Sequence, residues 1–135
     1  DAALYPAALY PFETLALNGG KGAERGMLQE ILGPHVKMRW DSWVEINPEK
    51  AREWGVADGA LVWVESPVGK VLARAKIYPG GAPESVGMPL GLGRRAGCGP
   101  ANGRGANPME IISVEHDSLS GAASLCPVSV KVYPA

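Results

Sequence analysis

The chain has 135 residues, 46% hydrophobic and 20% charged, a balance that fits one folded domain with its own core and excludes a disordered chain. Its 13 basic and 14 acidic side chains leave a net charge of −1, which excludes the electrostatic footprint of a nucleic-acid binder. No run of about 18 apolar residues is present, so no segment reads as a helix spanning a bilayer and no direct membrane insertion is expected. The 18 glycines and 12 prolines exceed a fifth of the chain. An average protein has about 12% of the two together, so many turns and few long helices are expected. No basic segment ahead of an apolar core marks a signal peptide. A chain that begins with Asp1 reads as a processed product or a piece of a longer protein.

Residues 4–17 (LYPAALYPFETLAL) favour β structure but are broken by Pro6 and Pro11. Proline cannot donate to a ladder, so an edge or irregular strand is expected. Residues 18–26 form a glycine-rich loop, and residues 27–32 one helical turn closed by Gly33-Pro34. Residues 43–46 (WVEI) alternate as a short strand. Asn47-Pro48-Glu49 then signals a helix start: Asn caps free N–H groups, Pro suits the first position, and Glu complements the positive helix end. This helix is expected to run to Trp54, with Ala51 and Trp54 on its buried face and Gly55 ending it.

Residues 60–65 (ALVWVE) read as a strand buried on both faces. A turn at Pro67-Val68-Gly69 pairs it with residues 70–78, where Val71, Ala73, Ala75 and Ile77 share one face. Residues 85–88 are a short strand, Asn107-Pro108 repeats the helix-start signal, Ser120-Gly121 is a turn, and residues 128–133 (VSVKVY) alternate as a last strand. Short strands separated by turns, with two or three short helices, predict a mainly β fold closed or nearly closed into a small barrel.

The segment from 87 to 105 holds seven glycines with Arg94, Arg95 and Arg104, and no acid. Glycines let successive N–H groups line one concavity, and arginine forks suit phosphate. Two readings stay open: a site for a phosphate-bearing ligand, or a surface loop with solvated charges. Gly91-Leu92-Gly93-Arg94-Arg95-Ala96 has the spacing of a dinucleotide fingerprint, but the Gly and Pro that follow cannot open the helix it needs. His35, His116, Cys98 and Cys126 lack metal-ligand spacing, and no Ser or Cys has a recognisable base partner. The two cysteines read as free thiols, with a single disulfide as the alternative. Trp43, Trp54 and Trp63 read as core; Trp40, followed by Asp41-Ser42, is the candidate for an exposed ring, and the continuous apolar run around Trp63 predicts that ring to be fully buried.

Residues 40–59 spell W-x-x-W-V-E-I-N-P-x-x-A-x-x-x-G-V-x-D-G. The pattern continues through Val62, Val64, Ser66 and Gly69, Tyr78-Pro79-Gly80, the run from Met88 to Gly93, and Gly103-Arg104-Gly105-Ala106-Asn107-Pro108. It resembles the molybdopterin dinucleotide-binding domain, the C-terminal domain of the dimethyl sulfoxide reductase family of molybdenum and tungsten enzymes. Leu28-Gln29-Glu30 and the Asn107-Pro108 loop resemble the branch that includes polysulfide-, tetrathionate- and sulfite-converting enzymes and related large subunits of quinone-linked respiratory complexes.

The resemblance implies a double-psi β-barrel, here a single domain over residues 1–135, that closes over molybdopterin guanine dinucleotide without ligating the metal. It implies that Gly20, Gly22 and Gln29 lie near the pterin, and that Arg94, Arg95, Arg104 and Asn107 belong to the loop approaching the dinucleotide. It implies as partners the remaining domains of a parent catalytic subunit and an iron–sulfur electron-transfer subunit. The family branch usually has a histidine after Gly93, where this chain has Arg94, and aromatic residues near Gly97 and Pro100, where it has none. Some relatives in respiratory complexes keep the fold without the cofactor, so a cofactor-free structural or assembly domain is the competing expectation.

Overall fold

The computed structural model describes residues 3–31, 38–97, 99–124 and 128–135. His35, Gly33-Pro34, Cys98 and Cys126 lie outside them, and with them the expectations on the first helix's closure and on the thiols. In chain order the strands are β1 (Ala7–Phe12), β2 (Trp43–Ile46), β3 (Leu61–Ser66), β4 (Gly69–Ile77), β5 (Ser85–Pro89), β6 (Glu115–His116), β7 (Ala123–Ser124) and β8 (Val128–Pro134). Six of them close into a barrel in the order β1-β5-β2-β4-β3-β8, while β6 and β7 pair apart. β1 with β5 and β2 with β4 are parallel pairs, and the other four neighbouring pairs of the barrel are antiparallel. The helices are short: α1 (Gly26–Glu30), α2 (Pro48–Glu53), and two 3₁₀ turns at Asn18–Gly20 and Pro108–Ile111.

Side chains alternate across each strand, and the inward set is small and β-branched. Leu9, Val44, Ile46, Val62, Val64, Ala73, Ala75, Val86, Met88 and Val130 fill the barrel. The turn at 67–69 joins β3 to β4 as expected, with Val71, Ala73 and Ala75 buried. The cap of α2 is also as expected. Asn47 Oδ1 accepts from the Glu49 N–H at 2.9 Å, its Nδ2 donates to the Gly81 carbonyl at 2.8 Å, and Gly55 ends the helix at φ +66°. Asn107 repeats the device, accepting from the Met109 N–H at 3.1 Å.

Two expectations fail. Strand β1 is not an edge: β5 pairs with it along residues 8–12 and β8 along residues 7–9. Barrel closure removes the edge, and Pro11 is tolerated because it lies past the last residue paired with β8. Strand β3 is not buried on both faces. Val62, Val64 and Ser66 point inward, while Leu61, Trp63 and Glu65 point out. A closed barrel buries one face of each strand, so the continuous apolar run puts Trp63 outside, half-buried, with Lys70 Nζ 4.5 Å from its ring centroid.

Candidate cofactor site

Strands β1 and β5 are parallel neighbours, so the segments that follow them leave from the same end of the barrel. These are the two glycine-rich segments, 18–26 and 91–107. The Leu90 N–H donates to the Phe12 carbonyl at 2.8 Å, and directly beyond, the two backbones meet at Gly20 and Gly91. A Cβ on Gly91 would lie 2.8 Å from the Gly20 nitrogen, and φ at both residues is strongly positive, +105° and +112°. Only glycine permits that crossing.

The second segment folds back on itself. The Gly93 N–H donates to the Arg104 carbonyl at 2.8 Å and the Gly103 N–H to the Arg94 carbonyl at 2.7 Å. A Cβ on Gly93 would strike the Asn107 backbone nitrogen. Two clefts flank this hairpin-like turn. One, of about 330 Å³, lies between the segments and is lined by Glu13, Gly20, Gly91, Arg94, Asn107 and Met109 among others. The other, of about 280 Å³, opens toward the outside of β3 and β4, with Trp63, Lys70, Arg95, Asn107 and Glu110 in its lining. Arg94 and Asn107 border both.

The three arginines differ in what they touch. Arg94 donates to the Gly20 carbonyl at 3.0 Å and lies 3.5 Å from the Glu24 carboxylate, which also accepts from the Ala101 N–H at 3.3 Å. Arg95 pairs with Glu110 at 2.9 Å. The expected run of uncompensated positive charge is therefore corrected. The acids come from Glu24, in the other segment, and from Glu110, just beyond the run. Arg104 donates through Nε to the Pro100 carbonyl at 3.1 Å, and its guanidinium lies 5.3 Å from the Trp40 ring centroid. Among the described residues it has no carboxylate partner.

Gln29 is fully buried. Its Nε2 donates to the Ala23 carbonyl at 2.9 Å, but its Oε1 has no partner among the described residues. A buried amide oxygen left without a donor costs about 1–3 kcal/mol, and Gln29 lines neither cleft. Gly22 has a different reason to be glycine: any Cβ there would strike the Ala16 carbonyl, with Leu28 close by. The structure thus brings Gly20, Arg94 and Asn107 to one cleft, places Arg95 on the other, and sets Gln29 and Gly22 in the packed base of the first segment.

Sequence reasoning missed Glu24, the acid that neutralises Arg94, and Ser42, whose hydroxyl joins the Trp40 segment to Ala106. Neither has a local signal. Trp40 itself is half-buried, its indole N–H donating 2.7 Å to Glu30 Oε1. That hydrogen bond, with a second from Arg39, holds the Glu30 carboxyl below the usual carboxylate range. Among the described residues no three His, Cys, Asp or Glu side chains converge as a metal site would need.

A glycine crossing at which Gly91 and Gly93 leave no room for a Cβ, and a buried amide oxygen with no partner among the described residues, fit a large ligand rich in hydrogen-bonding ring atoms. The comparisons agree. Over 96% of this chain, the menaquinone reductase molybdopterin-binding-like subunit of Nitratidesulfovibrio vulgaris is 28% identical. The thiosulfate reductase molybdopterin-containing subunit PhsA of Salmonella typhimurium is 32% identical over 46% of it. The chain spans only 19% and 8% of those two proteins. Acetylene hydratase from Pelobacter acetylenicus shares the fold over 99% of this chain, with a TM-score of 0.69 at 20% identity, and 19% of its own length is covered. The family model described as Molydopterin dinucleotide binding domain matches residues 15–126, and the chain belongs to that family.

Proposed function

We propose that this chain is the cap domain of a molybdenum or tungsten oxidoreductase, holding the pterin and dinucleotide parts of molybdopterin guanine dinucleotide and providing no ligand to the metal. The cofactor, when bound, supplies the metal and its redox chemistry. This chain binds, orients and encloses. Gln29, offering its amide oxygen as an acceptor, and the Gly20–Gly91 crossing, with Gly22 packed beneath, would hold the pterin side of the cofactor, the glycines letting backbone approach it closely. Asn107 and the guanidinium groups of Arg94, Arg95 and Arg104 face the dinucleotide, with Arg104 the freest to offer paired charge-assisted hydrogen bonds. As a single domain covering 8–19% of its relatives' lengths, it works with the remaining domains of a parent subunit and an iron–sulfur partner that carries electrons.

The observation that carries this reading is the buried Gln29 Oε1, which has no hydrogen-bond partner among the described residues. In the full-length parent, Arg104→Ala and Gln29→Met should each lower metal and pterin content after purification while circular dichroism still reports a folded protein. Normal content in both variants would refute the assignment.

One observation favours a second reading, a cofactor-free structural domain of a quinone-linked complex. Arg94 stands where the branch usually has histidine, and it ties the two segments together through Gly20 and Glu24 without any ligand. The relative matched along 96% of this chain is itself described as molybdopterin-binding-like. Elemental analysis of the purified parent decides between them: about one molybdenum or tungsten per chain for the first reading, none for the second.

A further inference from the structure

Trp40 breaks a local rule. Its φ is +60°, a left-handed conformation that a bulky side chain rarely adopts and that persists only where the surroundings enforce it. Three contacts enforce it here. The indole N–H is held by Glu30, whose other oxygen is fixed by Arg39 at 2.9 Å. The six-membered edge of the ring lies over Gly26, where an added Cβ would sit 3.6 Å from it. Two residues on, buried Ser42 is joined to Ala106 by two hydrogen bonds, and this join sets the Trp40 ring beside Arg104.

Arg104 is exposed and unlike Arg94 and Arg95. They spend their charge on Glu24 and Glu110, whereas Arg104 is held by a carbonyl at Nε and by the indole, leaving both Nη groups without a carboxylate among the described residues. An arginine positioned this way keeps one planar surface and one forked donor edge for a ligand. The surface suits a heteroaromatic ring and the fork suits a phosphate or a ring carbonyl. At 5.3 Å from the ring centroid, Arg104 leaves no room for another ring between itself and Trp40.

We propose that Trp40 and Arg104 form a composite platform for the planar base at the nucleotide end of the ligand, with Arg104 making the contact and Trp40 positioning it. This rests on the reading of the chain as a nucleotide-cofactor binder and adds to it a residue that the glycine-rich segments do not contain.

The test uses the full-length parent stripped of cofactor and titrated calorimetrically with guanosine 5′-diphosphate. Base–aromatic and cation–π contacts of this kind predict that Trp40→Ala and Arg104→Ala each weaken binding by roughly five- to a hundredfold. Because Trp40 acts through Arg104, the double variant should bind no more weakly than Arg104→Ala alone. Trp40→Phe should stay within about threefold of the unmutated protein, while Trp40→Leu, which keeps apolar bulk without a ring, should behave as Trp40→Ala. Unfolding midpoints of the Phe and Leu variants separate loss of the ring from loss of the fold. Unchanged binding in Trp40→Leu, or additive losses in the double variant, would overturn the platform. A parent that carries metal cofactor but does not bind the diphosphate would overturn it too, leaving the cofactor-binding reading intact. A parent with neither metal nor diphosphate binding would overturn both.

Discussion

Ser42 and Ala106 exchange two hydrogen bonds across 64 residues of chain. The Ala106 N–H donates to Ser42 Oγ at 2.8 Å, and the hydroxyl donates to the Ala106 carbonyl at 2.9 Å. Ser42 is fully buried, so one small side chain satisfies both backbone groups of a residue that has no strand to pair with. Gly105 makes room for it: a Cβ there would lie 2.5 Å from Ser42 Oγ. This link fixes the second glycine-rich segment to the start of β2, and with it the distance between Trp40 and Arg104.

Ser42→Ala removes both bonds and leaves a buried N–H and a buried carbonyl unpaired. The expected loss is about 2–4 kcal/mol of unfolding free energy, measured by urea denaturation. A loss below about 0.5 kcal/mol would mean that water reaches Ala106 in the variant.

Trp43 and Trp63 should respond to truncation to different extents. Trp43 shares the outer face of β2 with Glu45 but is only 1% exposed, its ring covered by Phe12 edge-on, so Trp43→Ala should cost about 3–5 kcal/mol. Trp63 is half-buried on the outer face, where it loses mainly the Lys70 contact and partial burial, about 1 kcal/mol. Equal shifts in the urea midpoint would contradict the half-buried placement of Trp63.

Gly93→Ala places a methyl group against the Asn107 backbone at a residue with φ +82°. Neither the strain nor the clash can be relieved without opening the turn between residues 93 and 107. A stability loss of about 2 kcal/mol or more is expected, together with faster amide exchange at Gly93 and Gly103, whose N–H groups bridge the turn. Gly97→Ala, at a glycine with open space around its Cβ position, is the control that feels only the φ penalty.

Three carboxylates are held below their ordinary range: Glu30 by the Trp40 N–H and then Arg39, Glu65 by the Tyr133 hydroxyl and then Lys131, and Asp117 by the backbone and hydroxyl of Ser120. Their folded values lie below their unfolded values. The stability they contribute is complete above the ordinary carboxylate range near pH 4 and is lost as pH falls through the depressed folded values. Urea midpoints should therefore decline below about pH 4, and Glu30→Gln should flatten that decline. Protonation of Glu30 also turns the charge-assisted hydrogen bond from the Trp40 indole into a weaker neutral one, so the tryptophan emission should change over the same interval.

Much of the fold was legible because its signals are local. Asn47 and Asn107 cap their own next turns, Gly55 ends α2, and Pro67-Val68-Gly69 reverses the chain between β3 and β4. Each depends on residues within a few positions, where turn chemistry and capping act without help from the rest of the chain. The family motif added the barrel and the two loops to watch, and Asn107 and Gly20 do face one cleft.

Long-range relationships were not legible. Whether Pro11 sits on an edge depends on β8 arriving from more than a hundred residues away to close the barrel. Whether Trp63 is inside depends on which face of β3 turns inward, and an unbroken apolar run carries no alternation to say so. Arg94, Arg95 and Arg104 look alike in a window that contains no acid. Their difference arises because the parallel pairing of β1 with β5 brings Glu24 to Arg94, because the 3₁₀ turn brings Glu110 to Arg95, and because the Ser42–Ala106 link leaves Arg104 against Trp40. Composition, caps and turns follow from the order of residues along the chain; the partner of each charge and the exposed face of each strand follow from which distant segments the closed barrel makes neighbours.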